Sequence, residues 1–327
     1  MNTPTRLGGY LAVLALIFGA GTLLGDVLVD AGTVERAESE TAGDHDSRGG
    51  DHAAKRDAAG DDTATEAMPA GLMISQHGYT LDIAQRTAPA ARGVPLRFRI
   101  VRPDSAPVTE YDETHGRDLH LIAVRRDMAG FQHVHPVLDD SGTWRTRLDL
   151  SHPGPYRIFA DFVATGHDMQ MTLASELVAV GDYQPRPLPE PDRTAHVDGY
   201  EVTLDSGLAA GEGSELTFSV SRDGRPVTDL QPYLAAYGHL VALRDGDLAY
   251  LHVHPEGEPG DGTTESGPRI AFHATTPSAG DYRLFLQFRH DDAVHTAEFT
   301  VRAGEAATHA DDAGEDDAGE GGGHDDH

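Results

Sequence analysis

Between residues 71 and 303, apolar positions recur at every second residue in short runs, with charged or hydroxylated residues between them. Pro95-Leu-Arg-Phe-Arg-Ile-Val101 and Glu215-Leu-Thr-Phe-Ser-Val220 show the pattern best. A period of two belongs to a β-strand with one buried face, because successive side chains point to opposite sides of the sheet. Gly, Pro, Asp and Asp-Gly interrupt the runs at intervals of about 8–12 residues, and no stripe with the 3.6-residue period of an amphipathic helix stands out. The pattern predicts an all-β fold built from antiparallel sandwiches.

The same landmarks occur twice, over residues 78–181 and 199–304. Each copy opens with Gly-Tyr (Gly78-Tyr79, Gly199-Tyr200), and each later carries a matching strand, Gly154-Pro-Tyr-Arg-Ile-Phe159 and Gly280-Asp-Tyr-Arg-Leu-Phe285. Roughly 105 residues and about seven candidate strands per copy fit two tandem immunoglobulin-like β-sandwiches. Ser151 to Tyr156 and Pro277 to Tyr282 both precede an apolar strand, as the tyrosine corner does in such sandwiches. Tyr183 to Thr194, rich in proline, predicts a semi-rigid spacer between the copies.

Composition and charge divide the remainder. The uncharged stretch from Leu7 to Gly25 follows Arg6 and precedes Asp26 and Asp30, the charge order of an export signal. Its nineteen residues suffice for a membrane-spanning helix, and Val29-Asp30-Ala31 also suits cleavage. Residues 31–70 carry ten acids and four bases, and residues 304–327 carry nine acids and no base; both are poor in large apolar residues, which predicts disorder. The expected plan is therefore a signal anchor or signal peptide (1–30), an acidic linker (31–70), a first sandwich (71–182), a Pro-rich linker (183–194), a second sandwich (195–303) and an acidic, His-containing tail (304–327). The domains would lie outside the cytoplasm, tethered to the membrane by the N-terminal helix, or secreted if that helix is cut. A net charge of −29 repels nucleic acid and anionic lipid while attracting cations. With no cysteine, neither disulfides nor thiolate metal sites are available.

Histidine carries the candidate chemistry. His120 and His239 each begin an apolar strand, and thirteen residues later each copy reads His-Val-His-Pro: His133 to Pro136 and His252 to Pro255. In the second copy, Asp245-Gly246 is a strong two-residue hairpin signal that would set His239 directly opposite His252. His254 would share their face, because side-chain direction repeats every second residue. His120, His133 and His135 would repeat that triad in the first copy, giving one site per sandwich. Three imidazoles suit copper or zinc, and affinity at nitrogen donors peaks at copper. Further ligands could come from the last hairpin of each copy, His167, Met169 and Met171 in the first, His290 and His295 in the second; the thioethers would favour Cu(I). His77, His115, His152, His196 and His273 lack partners at useful spacing.

The blocks Gly238–Pro255 and Gly280–Val301 resemble uncharacterised, exported proteins of GC-rich actinobacteria, often labelled as secreted or heavy-metal-binding-domain proteins, with the likeness covering about residues 70–303. The resemblance implies an exported chain linked to copper or other heavy metals, with ligands at His239, His252 and His254, His290 and His295 nearby, and His120, His133 and His135 by internal alignment. It implies no established activity, and the chain departs from cysteine-based metal domains in lacking Cys-x-x-Cys.

Three readings follow. The first is an extracytoplasmic metal-binding protein that sequesters copper, or zinc, or passes it to a transport partner. The second is an immunoglobulin-like surface interaction or scaffold module whose histidines are incidental. The third, a cupin-like metalloenzyme, draws on His252-Val-His254-Pro-Glu256; the first copy has no matching Glu, and no nucleophile elbow, phosphate loop or paired-carboxylate signature is present. The expectation is therefore of a protein that is not an enzyme.

Overall fold

The alternation becomes one-sided burial in the strands. In Val94–Val101, every second residue from Val94 to Ile100 is buried and those between are exposed. The structure, a computed structural model, describes residues 68–304 apart from positions 168, 212 and 252. Its elements among the described residues are strands, as the period of two predicts. The first sandwich comprises β1 (Ser75–Gln76), β2 (Tyr79–Ile83), β3 (Thr87–Pro89), β4 (Val94–Val101), β5 (Tyr111–Asp112), β6 (Leu119–Arg125), β7 (Gln132–Val134), β8 (Val137–Leu138), β9 (Trp144–Leu148), β10 (Gly154–Ala164) and β11 (Met171–Val180). The second comprises β12 (Thr194–Val197), β13 (Tyr200–Leu204), β14 (Gly213–Arg222), β15 (Arg225–Pro226), β16 (Gly238–Arg244), β17 (Val253–Pro255), β18 (Arg269–Thr275), β19 (Gly280–His290) and β20 (Ala293–Ala303).

In the first sandwich the sheet β1-β2-β4-β9-β8 packs on β3-β11-β10-β6-β7, around a core that includes Leu96, Phe98, Trp144, Ile158 and Phe162. In the second, β12-β13-β14-β18-β17 packs on β16-β19-β20, around Phe218, Phe272, Leu284 and Phe299. Both tyrosine corners form: Tyr156 Oη donates to His152 O (2.9 Å) and Tyr282 Oη to Ser278 O (2.7 Å). These bonds hold the chain where it enters β10 and β19, the central strands of the sheets that carry the histidines.

Two strands depart from one-sided burial. All seven residues of β6 are buried, and β16 is buried through its middle. Leu119, Leu121 and Ala123 face their own core, whereas Ile122 and Val124 belong to a third apolar cluster. In β16, Leu240 and Ala242 face inward while Val241 and Leu243 join that same third cluster. The outer faces of equivalent sheets are thus pressed together, with Phe131 stacked on Phe285 (ring centroids 4.1 Å apart) and Phe159 against Tyr250 (5.6 Å).

The segments flanking this contact are bound to it. Gly71 N donates to Thr172 O, while Tyr250 N donates to Ala70 O across the two sandwiches. Gly71 has φ +72°, and a Cβ there would lie 2.7 Å from Phe159 and 2.9 Å from Tyr250, so only glycine fits both the conformation and the space. The Pro-rich segment does not act as a free spacer. Arg186 N donates to Asp127 Oδ2 (2.8 Å), Leu188 packs on the third cluster, and Asp192 N bonds Thr300 O, so burial and hydrogen bonds strap it along the contact. No helix among the described residues is long and apolar enough to cross a membrane, and Leu7 to Gly25 lies outside them.

Candidate functional site: an imidazole cluster where the sandwiches meet

Side-chain alternation puts His120 on the face of Ile122 and Val124, and His239 on the face of Val241 and Leu243. Both imidazoles therefore point toward the contact between the sandwiches. The His120 and His239 rings lie nearly parallel, with centroids 5.5 Å apart. His133 and His135 approach from the chain that follows the first hairpin, their rings 5.2 Å from that of His120, and His133 is 4.7 Å from His239. His120, His133 and His135 each offer a ring nitrogen, all within 4.8 Å of one another, and they form the one such group of three or more His, Cys, Asp or Glu among the described residues.

The outer hydrogen bonds decide which nitrogens face inward. His120 Nε2 lies 2.9 Å from Thr114 O, a carbonyl that can only accept, so Nε2 carries the proton and Nδ1 of the neutral ring is bare. His133 Nδ1 lies 2.7 Å from Gln287 Oε1 and donates to it, which leaves Nε2 bare. These two bare nitrogens face each other at 3.0 Å. Opposed lone pairs at that distance repel unless a cation sits between them. Nε2 of His135 and Nε2 of His239 are buried without a hydrogen-bond partner, and a buried polar atom left unpaired costs about 1–3 kcal/mol. Metal-ligating histidines commonly direct their second ring nitrogen to a carbonyl or carboxylate; the outer nitrogens of His120 and His133 meet Thr114 O and Gln287 Oε1.

The electrostatics favour neutral rings. Burial, reinforced by neighbouring His120, pushes His133 down to about 3 and His135 to about 4. Burial, with His133 and His120 next in weight, holds His239 well below the ordinary histidine range. A neutral imidazole is the form that binds metal.

The hairpins differ from expectation in register. In the first copy His133 pairs with Ile122, not His120. In the second the bridge joins Leu243 to Tyr250, and Arg244 N donates to Ala249 O, so the loop holds four residues, 245–248, instead of Asp245-Gly246 alone. Asp247 sets this loop by accepting from Ala249 N (3.0 Å) and Arg244 Nε (3.1 Å), with Leu248 at φ +62°. Each register is displaced by two, which leaves every side chain on its predicted face. The first triad therefore assembles despite the displacement.

Of the second triad, only His239 and His254 fall among the described residues. Past Leu251 the chain leaves β16, and β17 pairs instead with β18, setting His254 opposite His273 on an exposed surface. His252 lies outside the described residues, and His239 joins the first copy's histidines. His167 packs near His77 and Tyr79. Met169 is exposed and Met171 is buried in the first core. His290 bonds Tyr200 Oη and Asp229, and His295 Nδ1 bonds Asp198 (2.8 Å). His295 pairs across β19 and β20 with Phe288, a core residue, whereas His239 pairs with Gln287, so these two histidines occupy the opposite face.

Sequence reasoning passed over His115 and Gln287. The His115 ring stands 6.1 Å from His120 and 6.0 Å from His239, held by the loop between β5 and β6. Nothing in its spacing signals this, because the loop and not a strand brings it in. Gln287 corresponds in the repeat to Asp161, and each faces the first histidine of its own copy across the sheet, so the internal alignment could have found it.

Similar solved structures include Yersinia pseudotuberculosis InvD (13% identity, covering 74% of this chain and 62% of that one, TM-score 0.23), the Escherichia coli adhesin FdeC (17%, 70% and 64%, TM-score 0.22) and fibronectin(III)-like modules of Clostridium thermocellum CbhA (10%, 69% and 95%, TM-score 0.19). The chain spans less than two thirds of InvD and of FdeC. Likeness at this level says nothing of activity, and the sandwich architecture rests on the strand pairing described above. No curated protein matches. A family described as a domain of unknown function (DUF8832) matches twice, over residues 74–178 and 195–305, one match per sandwich; the chain belongs to that family.

Proposed function

We propose that this protein is an extracytoplasmic metal-binding protein that holds a divalent transition-metal ion, copper in preference to zinc, at the His120, His133 and His135 group. The observation that carries this reading is the 3.0 Å approach of His120 Nδ1 to His133 Nε2, with the outer nitrogen of each ring at Thr114 O and Gln287 Oε1. Two nitrogens at about 2.0–2.1 Å from one ion lie about 3 Å apart, so the spacing suits shared coordination. All-nitrogen donors favour copper by the general order of divalent affinities, and zinc accepts the same set. The protein's role would be sequestration or transfer of the ion outside the cell, with the acidic flanking segments raising the local cation concentration.

The test is elemental analysis and chelator competition on the purified full chain beside a His120→Gln/His133→Gln variant. Copper or zinc retained by the wild type and lost from the variant, with the fold intact by circular dichroism, supports the reading. Equal retention by both proteins overturns it.

A second reading, a tandem immunoglobulin-like interaction module, is favoured by one observation. A single proton shared between His120 and His133 would also satisfy the 3.0 Å contact, and the imidazoles would then be packing elements of the inter-sandwich contact. Absence of metal from the wild type, with the variant destabilised, would select it.

A further inference from the structure

Resting on the metal-binding reading, we infer that His239 of the second sandwich completes the His120, His133 and His135 group into one four-imidazole site, so that a single bound ion ties the two sandwiches together. Three observations converge on this. The His239 ring lies 4.7 Å from His133 and 5.5 Å from His120, within the cluster rather than beside it. Its Nε2 is buried and has no hydrogen-bond partner, as has Nε2 of His135. The residue paired with His239 on the neighbouring strand, Gln287, is the one that holds His133 from the second sandwich.

The chemistry follows from the donor count. Three imidazoles would leave a position open to water or substrate, whereas four close a tetrahedral site, the arrangement of ions that are held rather than used in catalysis. The site borders the apolar cluster of Ile122, Val124, Val241 and Phe285, which limits water access from that side. Because the ligands come from β6, β7 and its continuation, and β16, the ion can dock fully only while the sandwiches keep their contact. Binding and inter-sandwich closure are therefore linked, and each strengthens the other.

Cobalt(II) is the probe, since tetrahedral Co(II) absorbs visible light far more strongly than octahedral Co(II). The metal-free full chain would be titrated beside His239→Gln, with stoichiometry, affinity and spectrum recorded. One ion per chain with an intense visible band in the wild type, and at least tenfold weaker binding with loss of that band in His239→Gln, supports the inference. Unchanged affinity and spectrum in His239→Gln, or two equivalent ions per wild-type chain, overturns it and leaves the triad reading standing. Loss of all binding by the wild type refutes both. Hydrogen exchange on the wild type guards against a variant that misfolds: cobalt should protect residues 238–244 as well as 132–135, and protection of the latter alone also overturns the inference.

Discussion

Acidification from neutral pH should weaken the metal-free protein through its buried imidazoles. His133 and His239 are held below their ordinary pKa by burial, so the folded state resists protonation that the unfolded chain accepts. Their contribution is fully present above the unfolded value of about 6.5 and is lost as pH falls toward the folded values. Going from pH 7.5 to 5.5 raises the protonated fraction of an unfolded imidazole from about one-tenth to about nine-tenths, a cost of roughly 1.3 kcal/mol per group. The two together lose about 3 kcal/mol by that linkage, and His135, more solvated, adds a smaller increment. Urea unfolding followed through Trp144, the sole tryptophan and buried on β9, reads the change as a midpoint lower by about 1–2 M. Asp127, Asp247 and Asp281 are depressed by their arginine and backbone partners, so they surrender stability only below about pH 4. Acidification also relieves repulsion within a chain of net charge −29, which acts in the opposite direction. A His133→Gln/His239→Gln variant shares that relief and lacks the imidazole linkage. If wild type and variant shift equally between the two pH values, the reasoning is wrong.

Three further outcomes test the packing around the site. Phe285→Ala removes a fully buried ring stacked on Phe131 and should cost about 3–5 kcal/mol in unfolding experiments, with weaker metal retention as the sandwich contact loosens; an unchanged melting temperature would show that the contact contributes nothing. Gly71→Ala must either rotate out of φ +72° or push into Phe159 and Tyr250, and should lower stability by at least about 1 kcal/mol in thermal melts. Asp127→Asn leaves the nearly buried Arg125 guanidinium without its carboxylate at 2.7 Å, so a loss of about 3–5 kcal/mol is expected in denaturant titrations, and a loss below about 1 kcal/mol would count against a buried ion pair.

The period of two in the apolar positions and the doubled landmarks made the sandwiches legible, because one-sided burial is written directly into alternation. The histidine triad was legible for the same reason even though its register was not. The turn depends on whether Asp247 or Asp245-Gly246 organises the loop, a competition of local hydrogen bonds that the dipeptide alone misjudges. A displacement of two residues preserves the face, so His120, His133 and His135 still converged.

What the sequence by itself determined is which residues share a face: the strands, the two cores, the tyrosine corners and the first three imidazoles follow from period and spacing. What covers that face was decided only by the tertiary structure. Alternation marks Ile122, Val124, Val241 and Leu243 as pointing away from their own cores, but it carries no information about a partner surface far along the chain. The packing of one sandwich on the other supplied that partner and brought His239 and Gln287 to His133, because contacts between sheets join residues that no local repeat relates.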